Sequence, residues 1–540
     1  MICAMKKGFR FPTQDEQGIL IVLTAIIAGA WTRLIVPLEA GFPVNDGGMF
    51  YIIIQSIQAN GYALPSYFHY NGLTIPFAYP PLGLFVGAWL TGLLNIDPLR
   101  IIQWLPAIVS IPTIIVFYPL ARRILNQSLS AGIATLIFAL TPRVITWQVM
   151  GGGLTRSFGL LFFIPAIYYV YQLFTERSLK HLLLAILFNA LVILSHPETT
   201  LHAIGFGLIL WLFKGRNKRG TMDAAIMVIG IILITSPWLI TILGRFGLEP
   251  VLSAVRTGSF SPLDSFNGLF IIFSEEPLLQ LVGVLAVIGI AVRLAKRDYL
   301  LPVLLLFPFI VEARTAETVS TIPLALLSTT GLCEAIFPII TKIEEATTKG
   351  KYTSPLQPWS NKILFSYLAI YFLINMFVAD AGLWQVRVSD AAQIAFDWIK
   401  YNTVQNSRFL VLTGDLEPLC DPLQEWFPAL TQRVSDTTIQ GREWLGVNQF
   451  TNYTENAQAI QGCLAADNPL SCIKDKTARA HLQYDYLLIA RKGSIKSTCR
   501  VLVSDLRGDA LIASLKKQSD YRTVYQTNDI VIFQVTKTYR

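Results

Sequence analysis

An acidic residue stands directly after the first long apolar run of the chain, where it could act on a substrate. Asp46 lies within the sequence Asn-Asp-Gly-Gly, and an amphipathic stretch at residues 49–59 follows it. A carboxylate at such a site can take a proton from a hydroxyl group and serve as a general base. Aspartate is also a frequent N-cap of helices. From the residue types alone, the capping role is the stronger interpretation of Asp46.

Single arginines form the second group of candidates, because a guanidinium can bind a phosphate through two charge-assisted hydrogen bonds. Arg143 and Arg156 flank three consecutive glycines, which allow a backbone to approach a ligand closely. Arg314 stands between Glu312 and Glu317 in an otherwise apolar region, where ionisable groups are costly. Each arginine could instead only snorkel to lipid headgroups. For Arg143 this simpler interpretation is the preferred one.

Two of the five histidines of the chain lie close to one glutamate. His196 is two residues before Glu198, and His202 is four residues after it, which places Glu198 and His202 on one face of a helix. Glu198 and His202 could therefore bind a divalent cation, although this spacing matches no established metal signature. The alternative is a helix N-terminus with Glu198 in its first turn and His196 hydrogen-bonded. The two interpretations are about equally favoured.

The candidate residues are set in a strongly apolar chain. Of its 540 residues, 53% are hydrophobic and 14% are charged, and the mean hydropathy is +0.51. Soluble globular proteins carry about 25% charged residues, so the composition excludes a wholly soluble protein. The net charge of +8 predicts no nucleic-acid partner, because cationic loops in a membrane protein mainly set its orientation.

Twelve apolar runs are candidates for membrane spans. The first run is too long for a signal-peptide core, and basic residues precede it, so the N-terminus is predicted to be cytosolic. The twelve runs are residues 18–38, 81–96, 99–120, 129–145, 158–174, 181–195, 199–213, 222–243, 277–293, 299–311, 318–340 and 362–383.

The run at residues 81–96 is predicted not to cross the membrane. It is short, it is interrupted by glycines, and Pro80 and Pro81 open it. If it is re-entrant, about eleven spans remain and every basic loop lies in the cytosol, as the positive-inside rule requires. This topology places a large loop at residues 39–98 and the tail at residues 384–540 on the extracytoplasmic side.

The tail at residues 384–540 is predicted to form a soluble α/β domain, whereas residues 1–383 form the transmembrane domain. Four cysteines of the tail lie in an oxidising compartment in this topology, which predicts one or two disulfides with three possible pairings. These cysteines are Cys420, Cys463, Cys472 and Cys499. Strand-like runs alternate with helical stretches at residues 409–413, 486–490, 500–503 and 530–535.

Several short segments together resemble a known family. They are NDGGMFYIIIQSIQANGY at residues 45–62, FAYPPLG at residues 77–83, LARRIL at residues 120–125 and LTPRVITWQ at residues 140–148. In this order they resemble the N-terminal module of the GT-C superfamily of membrane glycosyltransferases. Within this superfamily, the likeness is strongest to the branch that contains the protein O-mannosyltransferases and the aminoarabinose transferases. This branch resembles glycosyltransferase family 39. It covers roughly the first 200 residues.

The resemblance implies the transfer of a hexose or pentose from a polyprenyl-phosphate-linked donor. The acceptor would be a lipid, glycan or protein on the extracytoplasmic face, and the mechanism would be inverting. Asp46 would be the general base, and Arg156, Arg314, His196 and Tyr79 would bind the lipid phosphate. No cofactor is implied with certainty, and a divalent cation held by Glu198 and His202 is the candidate.

Two other classes of membrane protein could share this composition. A polytopic transporter or lipid flippase with an external accessory domain would also use intramembrane charges and broken helices, although the sequence contains no paired repeat that would favour it. A non-catalytic envelope scaffold is the other alternative. All three interpretations place a multi-pass protein in the cell membrane.

Overall fold

A computed structural model describes residues 13–257, 274–348, 351–491 and 508–536, without the side chains of Val255, Ala313 and Arg314. A bundle of apolar helices extends to Leu383, and a domain with a five-stranded sheet follows it. The helices of the bundle are Gln14–Ala40 (α1), Gly48–Ala59 (α2), Leu82–Leu94 (α3), Pro98–Ser110 (α4), Pro112–Leu125 (α5), Ser128–Ala139 (α6), Pro142–Thr146 (α7), Gly153–Glu176 (α8), Leu179–Ile193 (α9), Pro197–Leu210 (α10), Lys218–Phe246 (α11), Glu249–Thr257 (α12), Leu281–Ala295 (α13), Leu300–Leu306 (α14), Pro308–Val311 (α15), Ala313–Thr330 (α16), Phe337–Thr348 (α17) and Trp359–Leu383 (α18).

Six helical stretches in the described part of the chain are long and apolar enough to cross a membrane. They are Gln14–Ala40, Pro98–Leu125, Gly153–Glu176, Lys218–Phe246, Thr315–Thr348 and Trp359–Leu383. Further apolar helices, such as α6, α9 and α13, have 12 to 15 residues. The structure therefore supports the predicted helical membrane class, whereas the number of eleven spans stays a prediction.

Helix α3 occupies the run that was predicted not to span. It has 13 residues, so it is about 20 Å long, whereas the hydrocarbon core of a bilayer is about 30 Å thick. Trp89, Leu93 and Leu94 expose their side chains to the surroundings. A short helix with exposed apolar residues is consistent with a position at the membrane surface.

The loop between α1 and α4 contains a small antiparallel hairpin besides α2 and α3. Its strands are Tyr67–Tyr70 (β1) and Leu73–Pro76 (β2), and Tyr70 pairs with Leu73 beside the turn. The turn residue Asn71 reaches the C-terminal domain, where its side-chain amide donates to the carbonyl of Ser435 at 3.0 Å and its oxygen accepts from the Ser435 N–H at 2.7 Å. The hairpin thus joins the loop to that domain.

The C-terminal domain is a mixed sheet covered by helices. Strand order is β4-β3-β5-β7-β6, with β3 parallel to β4 and β5, and β7 antiparallel to β5 and β6. The strands are Arg408–Leu412 (β3), Val434–Ser435 (β4), Tyr486–Ala490 (β5), Tyr521–Gln526 (β6) and Ile530–Val535 (β7). The helices are Asp390–Asn402 (α19), Pro422–Thr431 (α20), Val447–Gly462 (α21), Pro469–Arg479 (α22) and Gly508–Lys516 (α23).

Three of the four predicted strands of the tail correspond to β3, β5 and β7, and the run at residues 500–503 lies outside the described residues. Strand β6 was not predicted, because its sequence YRTVYQ is polar and its side chains are mostly exposed or half-buried. Cys463 and Cys472 form a disulfide, which selects one of the three possible pairings. Cys420 is also disulfide-bonded, and Cys499 lies outside the described residues.

The predicted topology can be tested by cysteine labelling, since the sidedness of the bundle rests on the charge of the loops. With Cys3 and Cys333 replaced by serine, single cysteines at the exposed positions Ser66 and Tyr401 should react with an impermeant maleimide in intact cells. Labelling is measured by gel shift.

The exposed positions Gln127, Arg216 and Thr347 are the matched internal sites. Cysteines there should react only after the cells are permeabilised. Labelling of position 127 in intact cells would contradict the re-entrant assignment of residues 81–96.

Candidate active site

Asp46 lies in the tight loop between α1 and α2, and its carboxylate has two partners at the start of α8. Its Oδ1 accepts a hydrogen bond from the N–H of Gly152 at 2.7 Å, and its Oδ2 pairs with Nη2 of Arg156 at 2.7 Å. The Asp46 side chain is 22% exposed and that of Arg156 is 16% exposed. The carboxylate is thus held in one orientation while part of it stays accessible.

The capping role expected from residue types alone is wrong. The N-cap of α2 is Gly47, which makes no side-chain cap hydrogen bond. The N–H of Met49 instead donates to Oε1 of Glu425 at 3.0 Å, so a carboxylate of the C-terminal domain binds the first turn of α2. Asp46 is therefore left to face α8.

The glycine run allows the loop of Asp46 to approach α8. A Cβ atom on Gly151 would collide with the carbonyl oxygen of Asp46, and one on Gly152 would collide with Asp46 Oδ2 and Arg156 Nη2. The N–H of Gly151 also donates to the carbonyl of Val44 at 3.0 Å. The glycines were expected to let the backbone approach a ligand closely. In the structure it is the Asp46 loop of the same chain that makes this close approach.

Arg156 contacts an indole ring as well as Asp46. Its Cζ atom lies 5.4 Å from the ring centroid of Trp147, close enough for a cation–π interaction. Arg156 Nε and Trp147 Nε1 are both buried donors without a hydrogen-bond partner among the described residues. Buried polar atoms are normally satisfied, so these two donors are exceptions beside the Asp46 carboxylate.

Tyr79 belongs to the same group, because its hydroxyl lies 3.2 Å from Oγ1 of Thr155, the residue before Arg156. Its ring makes edge contacts with Phe50 on α2 and with Trp444 of the C-terminal domain. The structure therefore brings Tyr79 to the first turn of α8, where the bundle, the loop and the C-terminal domain meet.

His196 packs against α8 one turn beyond Arg156. A Cβ atom on Gly159, three residues after Arg156, would meet the Cβ of His196 at 2.9 Å. His196 Nε2 lies 3.2 Å from Oε2 of Glu198, and its Nδ1 lies 3.0 Å from the hydroxyl of Thr199. His196 is the N-cap of α10, so the helix N-terminus expected as one alternative is present, and it lies beside the Asp46 site.

The predicted metal pair is not brought together around one position. Glu198 contacts His196, whereas His202 lies 3.0 Å from Thr315 Oγ1 and 3.6 Å from Glu312 Oε2. Among residues 13–257, 274–348, 351–491 and 508–536, no group of three or more His, Cys, Asp or Glu side chains could hold a metal ion. The spacing of Glu198 and His202 on one helix face did not indicate that His202 would instead contact Glu312 and Thr315, which lie elsewhere in the sequence.

The helix is interrupted at Glu312: α15 ends at Val311, the backbone of Glu312 is extended, and α16 begins at Ala313. The side chain of Arg314 lies outside the described residues. Glu317 pairs with Arg143 at 2.7 Å, and Arg143 also pairs with Glu275. Arg143 is buried between these carboxylates, so the preferred interpretation that it snorkels to lipid is wrong.

A comparison with known families matches residues 79–240 to the family described as dolichyl-phosphate-mannose-protein mannosyltransferase. The matched region contains Tyr79, Arg156, His196, Glu198 and His202. Asp46, the candidate general base, lies before the matched region. No curated protein matches the chain in sequence.

Solved structures are similar in fold over 95% of the chain. The archaeal oligosaccharyltransferase AglB from Archaeoglobus fulgidus, solved with an inhibitory peptide and a dolichol-phosphate, superimposes with a TM-score of 0.54 at 13% identity. The superposition covers 95% of this chain and 74% of AglB. The arabinofuranosyltransferase AftD from Mycobacteria gives a TM-score of 0.52 at 15% identity, over 95% of this chain and 40% of AftD.

The chain has the GT-C fold. The resemblance to GT-C membrane glycosyltransferases that the sequence motifs indicated is thereby confirmed. Four of the site residues predicted from the sequence lie around the first two turns of α8 in the structure. They are Asp46, Arg156, Tyr79 and His196.

Trp147 and Glu425 also contact the site, but the sequence did not identify them as site residues. Trp147 belongs to the motif at residues 140–148, and Glu425 begins a tail segment, residues 425–444, that is rich in aromatic and charged residues. The only sequence signal for Glu425 was a carboxylate next to a tryptophan in that stretch, and it pointed to no particular partner.

Proposed function

We propose that this protein transfers a sugar from a polyprenyl-phosphate-linked donor to an acceptor on the extracytoplasmic face of the membrane, with Asp46 as general base. The observation that carries the proposal is the pairing of a partly exposed carboxylate with Arg156 and the Gly152 N–H, at the end of a membrane helix. The GT-C fold supports sugar transfer at a membrane.

The chemistry follows from this geometry. The hydroxyl oxygen of the acceptor attacks the anomeric carbon, its proton passes to Asp46, and the bond from that carbon to the phosphate oxygen of the donor breaks. Attack opposite the leaving phosphate inverts the anomeric centre. The released lipid phosphate gains negative charge, which cationic donors held near it can stabilise.

Arg156 is the first candidate for that stabilisation, since one of its nitrogens binds Asp46 and its Nε has no partner among the described residues. Tyr79 and His196 lie on either side of it along α8. AglB, a structural neighbour, was solved with a dolichol-phosphate. Lipid phosphate binding by Arg156, Arg314, His196 and Tyr79 is therefore part of the proposal.

The proposal is tested by measuring the covalent transfer of a sugar to an acceptor in a membrane of defined composition. The purified chain in lipid nanodiscs is incubated with radiolabelled polyprenyl-phosphate hexoses and pentoses, each with a lipid, glycan or peptide acceptor. We expect a labelled, anomerically inverted product from at least one pair. Movement of the donor across proteoliposomes without any covalent product would instead support the flippase alternative.

Arg314 offers a separate test, because it lies two residues after Glu312, where the helix is interrupted. We expect Arg314→Lys to raise the donor KM and Arg314→Ala to lower kcat/KM severely, since the planar guanidinium forms two bonds to a phosphate that an ammonium cannot reproduce. If lysine substitutes freely and alanine changes nothing in folded protein, Arg314 only snorkels.

A further inference from the structure

A buried carboxylate of the C-terminal domain sits directly against the loop that carries Asp46. Glu425, on α20, is 4% exposed. Its Oε1 accepts the N–H of Met49 at 3.0 Å. This N–H group belongs to the first turn of α2, where free N–H groups and the helix dipole attract an acceptor.

The neighbours of Glu425 tighten the same contact. The indole N–H of Trp426 donates to the carbonyl of Asn45 at 3.0 Å, and the hydroxyl of Tyr70 donates to the backbone carbonyl of Glu425 at 2.6 Å. A Cβ atom on Gly48 would collide with that carbonyl. The Asp46 loop is therefore held on one side by α8 and on the other by α20.

We propose that Glu425 is a positioning residue that fixes the Asp46 loop for proton transfer, so that the membrane bundle and the C-terminal domain build the active site together. The inference rests on the proposed function of Asp46. The N-cap of α2 is a glycine, which supplies no side-chain acceptor. The first turn of α2 therefore needs an acceptor from outside the loop, and Glu425 supplies it.

The charge of Glu425 should matter for this role. Burial raises the pKa of Glu425 to about 8, and the negative charges of Asp46 and Glu443 add to the rise. Tyr70 is the other titratable group that faces it, and Arg156 lies beyond Asp46 as its counter-ion. Near neutral pH, Glu425 is mostly uncharged and accepts the Met49 N–H bond without repelling Asp46.

The direction of the pH effect follows from this rise. In the unfolded chain a glutamate ionises near pH 4.5, whereas in the folded protein Glu425 ionises near pH 8. The folded state therefore binds one more proton between these values, and stability falls as pH rises through this window. Above it, Glu425 is ionised next to Asp46, and the loop should loosen.

Two variants separate the role of Glu425 as a hydrogen-bond acceptor from the effect of its charge. Glu425→Gln keeps a side-chain oxygen for the Met49 N–H but cannot ionise, so we expect near wild-type kcat at neutral pH and no loss of activity above about pH 8. The melting temperature of Glu425→Gln should exceed that of the wild type by an amount that grows from about pH 5 to pH 8.

Glu425→Ala removes the acceptor. A misplaced catalytic group can cost about 100-fold, and we expect a fall of this order in kcat with little change in donor KM. If Glu425→Ala does not fold, Glu425→Gln alone decides. Asp421→Asn is the matched control, because Asp421 is a buried carboxyl that caps the same helix and accepts hydrogen bonds from Thr413 and Leu423, and asparagine also caps.

We expect Asp421→Asn to keep the wild-type rate and pH profile of transfer. A folded Glu425→Ala with wild-type kcat, or a Glu425→Gln variant with the wild-type pH profile, would overturn the inference. The melting measurement needs no substrate. A protein that shows the melting difference but transfers no sugar overturns the proposed function, whereas one that transfers sugar without that difference overturns this inference alone.

Discussion

An Asp46→Asn variant should lose glycosyl transfer while its melting temperature stays close to that of the wild type. A general base contributes about 10²- to 10⁴-fold to a rate, and an amide cannot take the proton. The asparagine oxygen can still accept the Gly152 N–H. The ion pair with Arg156 is lost, but neither side chain is fully buried, so we expect the folded state to persist.

Initial rates of transfer, measured at saturating donor and acceptor with melting curves alongside, decide the matter. Asp390→Asn is a suitable control, because Asp390 forms an ion pair at the protein surface with Arg387 and is 81% exposed. We expect the control to retain full activity. An Asp46→Asn enzyme with wild-type kcat would rule out the base assignment.

Arg156→Ala should have the second largest effect. Loss of one donor that stabilises developing charge costs about 10²- to 10³-fold in kcat, and the variant also removes the counter-ion of Asp46 and the contact with Trp147. Arg156→Lys should recover part of the rate, since an ammonium keeps the charge but not the planar pair of donors.

Donor kinetics distinguish this role from a structural one. We expect kcat and kcat/KM for the donor to fall together in Arg156→Ala, because the interaction is needed mainly in the transition state. Arg387→Ala removes an arginine of the surface ion pair and should leave both parameters unchanged. Unaltered donor kinetics in folded Arg156→Ala would move the phosphate site to Arg314 and His196.

Much of the architecture was predictable because its signal is local. Runs of apolar residues predicted helices α1, α8, α11 and α18, and the run at residues 299–311 ends directly before Glu312, where the helix is interrupted. Alternating or continuous apolar residues predicted β3, β5 and β7. The polar strand β6 was missed, since an exposed edge strand needs no apolar face.

The sequence by itself determined the membrane class, the helical bundle followed by a sheet domain, and the residue types from which the site is built. Only the tertiary structure decided which of these residues meet. Met49 and Glu425 are 376 positions apart, and Asp46 and Arg156 are 110 apart. No local pattern encodes such pairings, because they arise from how whole helices and domains pack. The fold therefore turned a predicted helix cap into a carboxylate paired with Arg156, and gave the capping position to Glu425.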